Sequence, residues 1–301
     1  GNPDDPNTEF GAICKPGSGY NVIKISAFDT PNFTGEQVPD YLSKLLVAPS
    51  WVEDKRRRWG VDSPLWRSKV EGDFPEVGEN TLINPAWITA AQERTIQPSA
   101  PHTLGVDVAR FGSDMTVIAH RQGAHVRIIK TMSHVPTTET AGEVKVLQRD
   151  LAYPVAQVDG VGVGGGVVDI LREDGHPVTD MQAGAAGGAE VDPKTGQTVH
   201  RYQNARAEWY WHLRMLFQNG QIDIDPNDDE LASQLGSLRW SLNSKGRIQI
   251  ESKDDMKARG MPSPDRADAL MLAFGHRPEI ITRTTNLVDD VLGGNYSILN
   301  F

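Results

Sequence analysis

The sequence of 301 residues contains one cysteine, Cys14, and no long apolar run. A single cysteine excludes an internal disulfide and a cysteine-based zinc site, which fits a reducing compartment. No window approaches the roughly 18 apolar residues that a membrane-spanning helix needs, and the N-terminal residues show no signal-peptide pattern. We therefore expect a soluble protein of the cytosol that contacts no membrane.

Positive charge is also in deficit, since 30 Lys and Arg face 40 Asp and Glu for a net charge of −10. This balance argues against a protein that coats nucleic acid through bulk positive charge. A local basic groove stays possible, because seven cations lie between Arg239 and Arg266. Asp254 and Asp255 lie among them, so a solvated and salt-paired surface is the alternative.

Two families of motif are missing. The eight histidines show neither HxH nor HExxH spacing, so we expect them in the core or on the surface. No GxxxxGK[ST] sequence is present, which predicts that this chain has no ATP site of that type and no ATPase activity.

The length predicts two unequal parts. Residues 1–97 are rich in Pro, Trp and mixed charge, and indicate a short sheet segment near Tyr20 to Ala27 and one or two helices between Val38 and Trp66. Residues 98–278 carry an alternation of strands and helices that is typical of an α/β domain. Residues 279–301 are a tail with little periodicity.

The α/β part begins with three runs, TLGVDVA, MTVIAHR and AHVRIIKTM, whose short connections predict an antiparallel meander. A helix follows from Thr137 to Leu151, capped by Thr137 or Thr138, and leads into the buried strand PVAQVDG. Such a crossover is right-handed and can bring PVAQVDG parallel to TLGVDVA.

The remaining elements are predicted from their periodicity and capping signals. The final helix should start with Ser263 as its cap and Pro264 in the first turn. The other predictions, in chain order, are a helix (VVDILREDG), a strand (HPVTDMQ), a mobile loop (AGAAGGAEVDPKTGQTVH), a helix with Ala205, Trp209, Leu213 and Leu216 on one face, and a strand (RIQIESK).

Three aspartates stand in settings that require an explanation: Asp107 inside LGVDVAR, Asp159 at the end of PVAQVDG, and Asp265 at the start of SPDRADALMLAF. A carboxylate in an apolar strand costs several kcal/mol unless it is paired or holds a metal. By alternation, Asp107 shares its face with Gly105 and Ala109, whose small size leaves room for an ion.

These acids suit a centre that binds two Mg²⁺ or Mn²⁺ ions about 4 Å apart and hydrolyses a phosphodiester. Hard cations prefer oxygen ligands, so three or four aspartates suffice. We assign Asp107 as the bridging ligand, Asp159 to one ion and Asp265 to the other. Asp268 lies three residues after Asp265 on the same helix face, so either can be the third ligand; both also have purely structural alternatives, a favourable helix N-terminus or an ion pair.

Candidate DNA contacts lie on two segments. Lys253, Lys257, Arg259 and Arg266 are predicted to contact phosphates. The glycine-rich run GVGVGGG, from Gly160 to Gly166, fits no standard nucleotide-binding pattern. Its Gly162 and Gly164 either let backbone N–H groups approach a DNA phosphate or allow tight packing of a helix on the sheet.

Four segments together resemble the large subunit of tailed-phage DNA-packaging terminases, in its C-terminal nuclease domain: GVDVARFGSD, VDGVGVGGGVVDIL, RYQNARAEWYW and ESKDDMKARGMPSPDRADALMLAF. The resemblance implies a ribonuclease H-like mixed sheet flanked by helices, with metal acids similar to Asp107, Asp159 and the pair Asp265 and Asp268. It also implies a Mg²⁺- or Mn²⁺-dependent endonuclease that cuts concatemeric double-stranded viral DNA in the host cytoplasm, with a small terminase subunit and a portal as partners.

The opening GNPDDPNTEFG, with ISAFDTPNF after it, resembles the end of the family's ATPase domain, which makes residues 1–97 a partial N-terminal segment. Three other functions stay open. A junction resolvase or transposase would share the fold and the acids. An actin-like ATPase would need a second phosphate loop, and a non-catalytic docking module of a packaging motor would not need the acids at all.

Overall fold

The computed structural model describes residues 3, 6, 9–75, 78, 80–109, 114–191, 196–276 and 280–282. The helices are α1 Glu9–Ile13, α2 Pro31–Thr34, α3 Asp40–Ser43, α4 Pro49–Trp59, α5 Pro64–Trp66, α6 Pro85–Glu93, α7 Thr137–Asp150, α8 Gly164–Glu173, α9 Ala205–Gln218, α10 Asp229–Ser237, α11 Lys253–Ala258 and α12 Asp265–Phe274, with a 3₁₀ turn at Ala27–Asp29 and a π-helical turn at Arg67–Glu71. The strands are β1 His102–Asp107, β2 Thr116–Gln122, β3 His125–Met132, β4 Val155–Asp159, β5 Val178–Met181, β6 Ala189–Val191, β7 Thr198–His200, β8 Trp240–Leu242, β9 Ile248–Ile250 and β10 Ile280–Thr282.

The main sheet has five strands in the order β3-β2-β1-β4-β5. β2 pairs antiparallel with both β1 and β3, while β4 pairs parallel with β1 and β5. The predicted meander and the parallel crossover through α7 are therefore confirmed. The first turn of the meander was expected at FGSD, residues 111–114, of which 111–113 lie outside the described residues.

Alternation along the central strands separates the two faces of this sheet. Leu104 and Val106 of β1 and Val158 of β4 pack in one apolar core with residues of α7 and α8. The opposite face carries Gly105 and Asp107, and it is covered by α12, which contacts β1 and β2. The carboxylate of Asp107 therefore lies on the face of the sheet that α12 covers.

The α9 helix follows its predicted amphipathic pattern in part. Ala205, Trp209 and Leu213 are buried as predicted, and Leu216 is half-buried. Tyr210 is buried as well, because α12 packs against a second face of α9. Its hydroxyl group consequently needs a hydrogen-bond partner inside the protein.

Two predicted helix caps were wrong. The N-cap of α7 is Pro136 rather than Thr137 or Thr138, and the N-cap of α12 is Pro264 rather than Ser263. Ser263 Oγ donates instead to Asp265 Oδ1, so the serine orients a carboxylate of the first turn and does not close the helix end.

Three other segments differ from their predictions. Residues 20–26 form no strand, because they lack a paired neighbour within the described part of the chain, and Ile23 and Ile25 are exposed. Three helices, α3 to α5, replace the predicted one or two. The loop expected to be mobile contains the hairpin of β6 and β7, to which β10 of the predicted tail adds a parallel strand.

The described N-terminal segment has a small core of its own. Val52 and Trp59 of α4 pack there with Trp66, Val70 and Ala27. Helix α6 instead joins the main core through Ile88 and Ala91. Among the described residues, no helix has the length and apolarity that crossing a membrane requires. The predicted boundary near residue 97 stays a prediction.

Gly105 sets the distance between β1 and α12. A Cβ on Gly105 would lie 2.0 Å from Ala269 O and 2.4 Å from Ala273 N, both backbone atoms of α12. We expect Gly105→Ala to lower the free energy of unfolding by about 1–3 kcal/mol or more, since overpacking a tight contact displaces backbone. Urea denaturation measures this change.

Gly142→Ala is the matched control, because nothing lies within 4 Å of a Cβ at this position of α7. It should leave stability unchanged or raise it by about 0.5–1 kcal/mol, as expected for a helical Gly replaced by Ala. Equal effects of the two substitutions would contradict the close contact.

Candidate metal and nuclease centre

The ends of β1 and β4 bring two aspartates together. The parallel register pairs Val106 with Val158, so the next residues, Asp107 and Asp159, end adjacent strands side by side. Neighbouring strands lie about 4.8 Å apart. Asp159 is held by backbone N–H groups, from Val161 at 3.2 Å and from Ala183 at 3.5 Å, both to Oδ1.

The first turn of α12 supplies two further carboxylates. Asp265 and Asp268 are buried at 5% and 4% exposure. Asp265 has both oxygens engaged: Met115 N–H donates to Oδ2 at 2.7 Å and the Ser263 hydroxyl donates to Oδ1. Asp265 is therefore already fixed by the protein.

Lys253, the first residue of α11, lies among these acids. Its Nζ atom is 3.2 Å from Asp107 Oδ2, 3.3 Å from Asp265 Oδ1 and 3.0 Å from Asp268 Oδ2. The carboxylates raise the pKa of Lys253, outweighing the opposing effect of burial, so the ammonium is charged. Three aspartates from two separate elements thus share one cation.

The two oxygens of Asp268 have different partners. Tyr210 Oη donates to Asp268 Oδ1 at 2.6 Å, and Arg206 Nη2 lies 3.4 Å from the same oxygen. The second oxygen, Oδ2, is buried, and its contact among the described residues is the ion pair with Lys253 Nζ at 3.0 Å. Burial acts to raise the pKa of Asp268, but Lys253, Arg206 and Tyr210 outweigh it and lower the pKa.

The two strand acids have the opposite shift. Burial raises the pKa of Asp107 to about 7, and the nearby Asp268 and Asp265 add to the rise while Lys253 opposes it. Burial also raises the pKa of Asp159; the N–H groups of Val161 and Ala183 oppose this, and the charge of Asp268 adds to it. Asp268 therefore affects both strand acids.

The charges of this centre are unbalanced. Four carboxylates, Asp107, Asp159, Asp265 and Asp268, face two cations, Lys253 and Arg206, which leaves two negative charges in excess when all are ionised. As placed, no group of three or more acidic, His or Cys side chains among the described residues has metal-binding geometry. The ammonium of Lys253 lies between the acids and would have to move. The excess of negative charge and the raised pKa of Asp107 both fit a site that accepts a cation.

The four predicted phosphate contacts all have carboxylate partners. Lys253 is in the acid centre, as described. Lys257 lies 3.1 Å from Asp114 Oδ1 at the surface, Arg259 makes two 2.7 Å bonds to Glu251, and Arg266 pairs with Asp228 at 2.8 Å. These pairs match the salt-paired alternative more closely than a free basic groove.

Two glycines of the run GVGVGGG have different surroundings, one suited to helix packing and the other open to a ligand. A Cβ on Gly164 would lie 1.9 Å from Asp159 O, so this buried glycine allows α8 to pack tightly behind β4. Gly162 is exposed, has a φ of 68° and has nothing within 4 Å of a Cβ, which leaves its surroundings open to a ligand.

Sequence reasoning missed three features of this centre. Arg206 and Tyr210 were predicted only as part of a helix, although their i, i+4 spacing on α9 was a signal that both could reach one partner. The central position of Lys253 had no such signal.

Among the seven cations from Arg239 to Arg266, the ones without a carboxylate partner in the described part of the chain are Arg239, Lys245 and Arg247.

No protein-family model matches the chain. The chain is 24% identical over 247 residues to the probable terminase large subunit of Enterobacteria phage P7, a match that covers 76% of this chain and 48% of that protein. The chain thus spans about half the length of this curated relative.

Solved nuclease domains of a large terminase subunit have a fold similar to that of this chain. The nuclease domain of the large terminase subunit gp2 of bacterial virus Sf6 superposes with a TM-score of 0.57 at 23% identity, covering 66% of this chain and 99% of that one. A mutant of the same domain, solved with manganese and β-thujaplicinol, has a TM-score of 0.56 at 22% identity over 66% of this chain and 99% of its own. The predicted ribonuclease H-like fold and the resemblance to terminase large subunits are confirmed.

Proposed function

We propose that this chain carries the nuclease centre of a phage DNA-packaging terminase, a Mg²⁺- or Mn²⁺-dependent endonuclease that cuts concatemeric double-stranded DNA by a two-metal mechanism. The observation that carries the proposal is the meeting of Asp107, Asp265 and Asp268 around the single ammonium of Lys253, with Asp159 beside Asp107 at the end of the neighbouring strand. Buried like charges are costly, and a phosphodiesterase centre that binds cations gives them a purpose.

Asp107, Asp159 and Asp268 are the proposed metal ligands. Asp268 is preferred over Asp265 because its Oδ2 contacts only the Lys253 ammonium, which a metal ion could displace, whereas both oxygens of Asp265 accept hydrogen bonds from Met115 N–H and the Ser263 hydroxyl. Asp107 ends the central strand and lies beside both Asp159 and Asp268, which suits a bridging position. When bound, two divalent ions would supply an activated water and neutralise charge on the phosphate.

The remaining side chains position these ligands. Tyr210 and Arg206 hold Asp268 Oδ1, so they fix the carboxylate with Oδ2 directed at Lys253. Ser263 and the Met115 N–H group fix Asp265, which keeps the first turn of α12 against the start of β2. Lys253 balances the acids before a cation binds, and its ammonium is then close enough to contact a substrate phosphate.

The manganese in the Sf6 structure supports the proposed cofactor by analogy. Double-stranded DNA is the proposed substrate and the host cytoplasm the proposed location. A small terminase subunit and a portal are proposed as partners, and the residues that would bind them are not assigned.

Cleavage of supercoiled plasmid DNA tests the proposed nuclease activity. The protein should nick and linearise plasmid with Mn²⁺ or Mg²⁺ and should be inactive in EDTA. Absence of cleavage with either ion, in protein that is folded by circular dichroism, would refute the nuclease assignment.

Asp265→Asn tests the choice of ligand. The asparagine oxygen can still accept the Met115 N–H bond, and its NH2 group can donate to Ser263 Oγ, so we expect a partial loss of about 10–100-fold, as for residues that orient metal ligands. Single-turnover rates on plasmid measure the loss, with Asp150→Asn at the exposed end of α7 as the control that should cleave like the wild type. A complete loss in Asp265→Asn would instead make Asp265 a direct ligand.

A further inference from the structure

A cavity of about 360 Å³ lies beside the acid centre, between the N-terminal segment and the nuclease fold. One wall includes Ser263, Asp265 and Arg266, and the facing wall is the C-terminal half of α4, with Asp54, Arg57 and Arg58. We call it the α4 cavity. It joins a helix that precedes the α/β domain to an aspartate of the proposed nuclease centre.

Helix α4 carries more basic than acidic side chains. Lys55, Arg57 and Arg58 all approach the same carboxylate, Asp54, at 3.9, 3.7 and 3.0 Å. Lys55 is only 17% exposed and lies over the rings of Trp51 and Trp59. Arg57 and Arg58 are 73% and 54% exposed, so both guanidinium groups are accessible to an anion.

The acids on the facing wall already have partners. Glu230 lies 3.4 Å from Arg266, which also pairs with Asp228, and Asp265 is held by Lys253, Ser263 and Met115. An anion entering the α4 cavity therefore meets two arginines that share one carboxylate.

Helix α4 is a rigid support for these arginines. Val52 and Trp59 anchor it in the small N-terminal core, and the Ser233 hydroxyl of α10 donates to Trp59 O at 3.4 Å. Side chains on a packed helix present their charges at a fixed distance from the acid centre, as binding of a stiff polyanion requires.

We propose that Arg57 and Arg58 bind the phosphodiester backbone of duplex DNA next to the scissile phosphate. The proposal rests on the proposed function, because the nuclease centre would place DNA at Asp265. Each strand carries a phosphate for about every 3.4 Å of helix axis, so phosphates that neighbour the cleavage site pass the α4 cavity. The segment before the α/β domain would then be part of the substrate site.

The test compares Arg57→Gln/Arg58→Gln with the control Arg149→Gln/Arg172→Gln, which removes the same charge from α7 and α8 on the opposite face of the sheet. Binding of a fluorescent duplex is measured by anisotropy in Ca²⁺ at 50–200 mM salt, and plasmid cleavage is measured in Mn²⁺. Loss of two phosphate contacts should reduce the slope of log K against log salt by about 1.8, so wild-type affinity falls about 12-fold more than that of the variant over this range. KM should rise and kcat should change less than about twofold, because the arginines bind DNA without touching the reacting atoms.

Arg57→Lys/Arg58→Lys should restore most of the salt slope, since lysine also binds phosphate as a point charge. A salt slope and KM equal to those of the control would overturn the proposal, and so would a fall in kcat at unchanged KM. The proposed function has a separate test. If the wild-type protein binds DNA through these arginines but cleaves it under no condition, the phosphate-binding site is supported and the nuclease function is refuted.

Discussion

Asp107→Asn is expected to reduce plasmid cleavage by about 10³-fold or more. A bridging metal ligand supports several kcal/mol of transition-state stabilisation, and each 1.36 kcal/mol corresponds to about a factor of ten in rate. Asparagine keeps the size of the side chain and removes the negative charge, so the effect isolates the charge. Single-turnover cleavage with saturating Mn²⁺ measures it, and Asp268→Asn should behave in the same way.

Stability should move in the opposite direction from activity. Burial and neighbouring carboxylates raise the pKa of Asp107 to about 7, which means that its negative charge is unfavourable in the folded protein near neutral pH. Without divalent ions, Asp107→Asn should therefore melt at the same temperature as the wild type or higher. Cleavage at the wild-type rate would reject Asp107 as a ligand, and a large drop in Tm would show that the carboxylate serves the fold rather than the metal.

This difference between stability and activity also separates the nuclease from a docking module. A purely structural carboxylate is held by partners that its removal leaves unsatisfied, so its loss destabilises the protein. Asp107 instead shares one ammonium with Asp265 and Asp268, and its removal relieves repulsion between carboxylates. Functional sites commonly retain such unfavourable arrangements.

The part of the centre on the sheet follows from local sequence. Apolar runs with period two place Asp107 and Asp159 at the ends of two strands, and the right-handed crossover through α7 makes those strands neighbours. The apolar periodicity of ALMLAF then predicts a buried α12 with its acids in the first turn. For these elements, the secondary-structure propensity of the residues, the spacing of the apolar residues and the tertiary packing favour the same structure.

The ion pairs could not be predicted, because they depend on which distant side chain is nearest. Lys253 and Asp107 are 146 residues apart, and Arg266 and Asp228 are 38 apart. Sequence shows only that cations are dense near the last acid, which is equally consistent with a DNA groove and with internal pairing. The strand β10 was missed for the same reason, since a short segment becomes a strand only when β6 provides its partner.

Lys253→Met is expected to destabilise the metal-free protein by about 3–5 kcal/mol, the usual cost of leaving buried charges without their partner. Methionine fills a similar volume but cannot neutralise Asp107, Asp265 and Asp268. Urea denaturation in EDTA measures the loss. The control is Lys257→Met on the same helix, whose surface pair with Asp114 should contribute less than about 1 kcal/mol.

Added Mn²⁺ should reverse this loss, because a divalent ion can replace the ammonium between the carboxylates. A ligand that binds only the folded state stabilises it by RT ln(1 + [L]/Kd), so the rise in Tm with Mn²⁺ reports the affinity of the site. The rise should be larger in Lys253→Met than in the wild type, where the ammonium competes with the ion for the same oxygens. If both proteins respond equally to Mn²⁺, the ion binds away from Lys253, and the four aspartates are not the metal site.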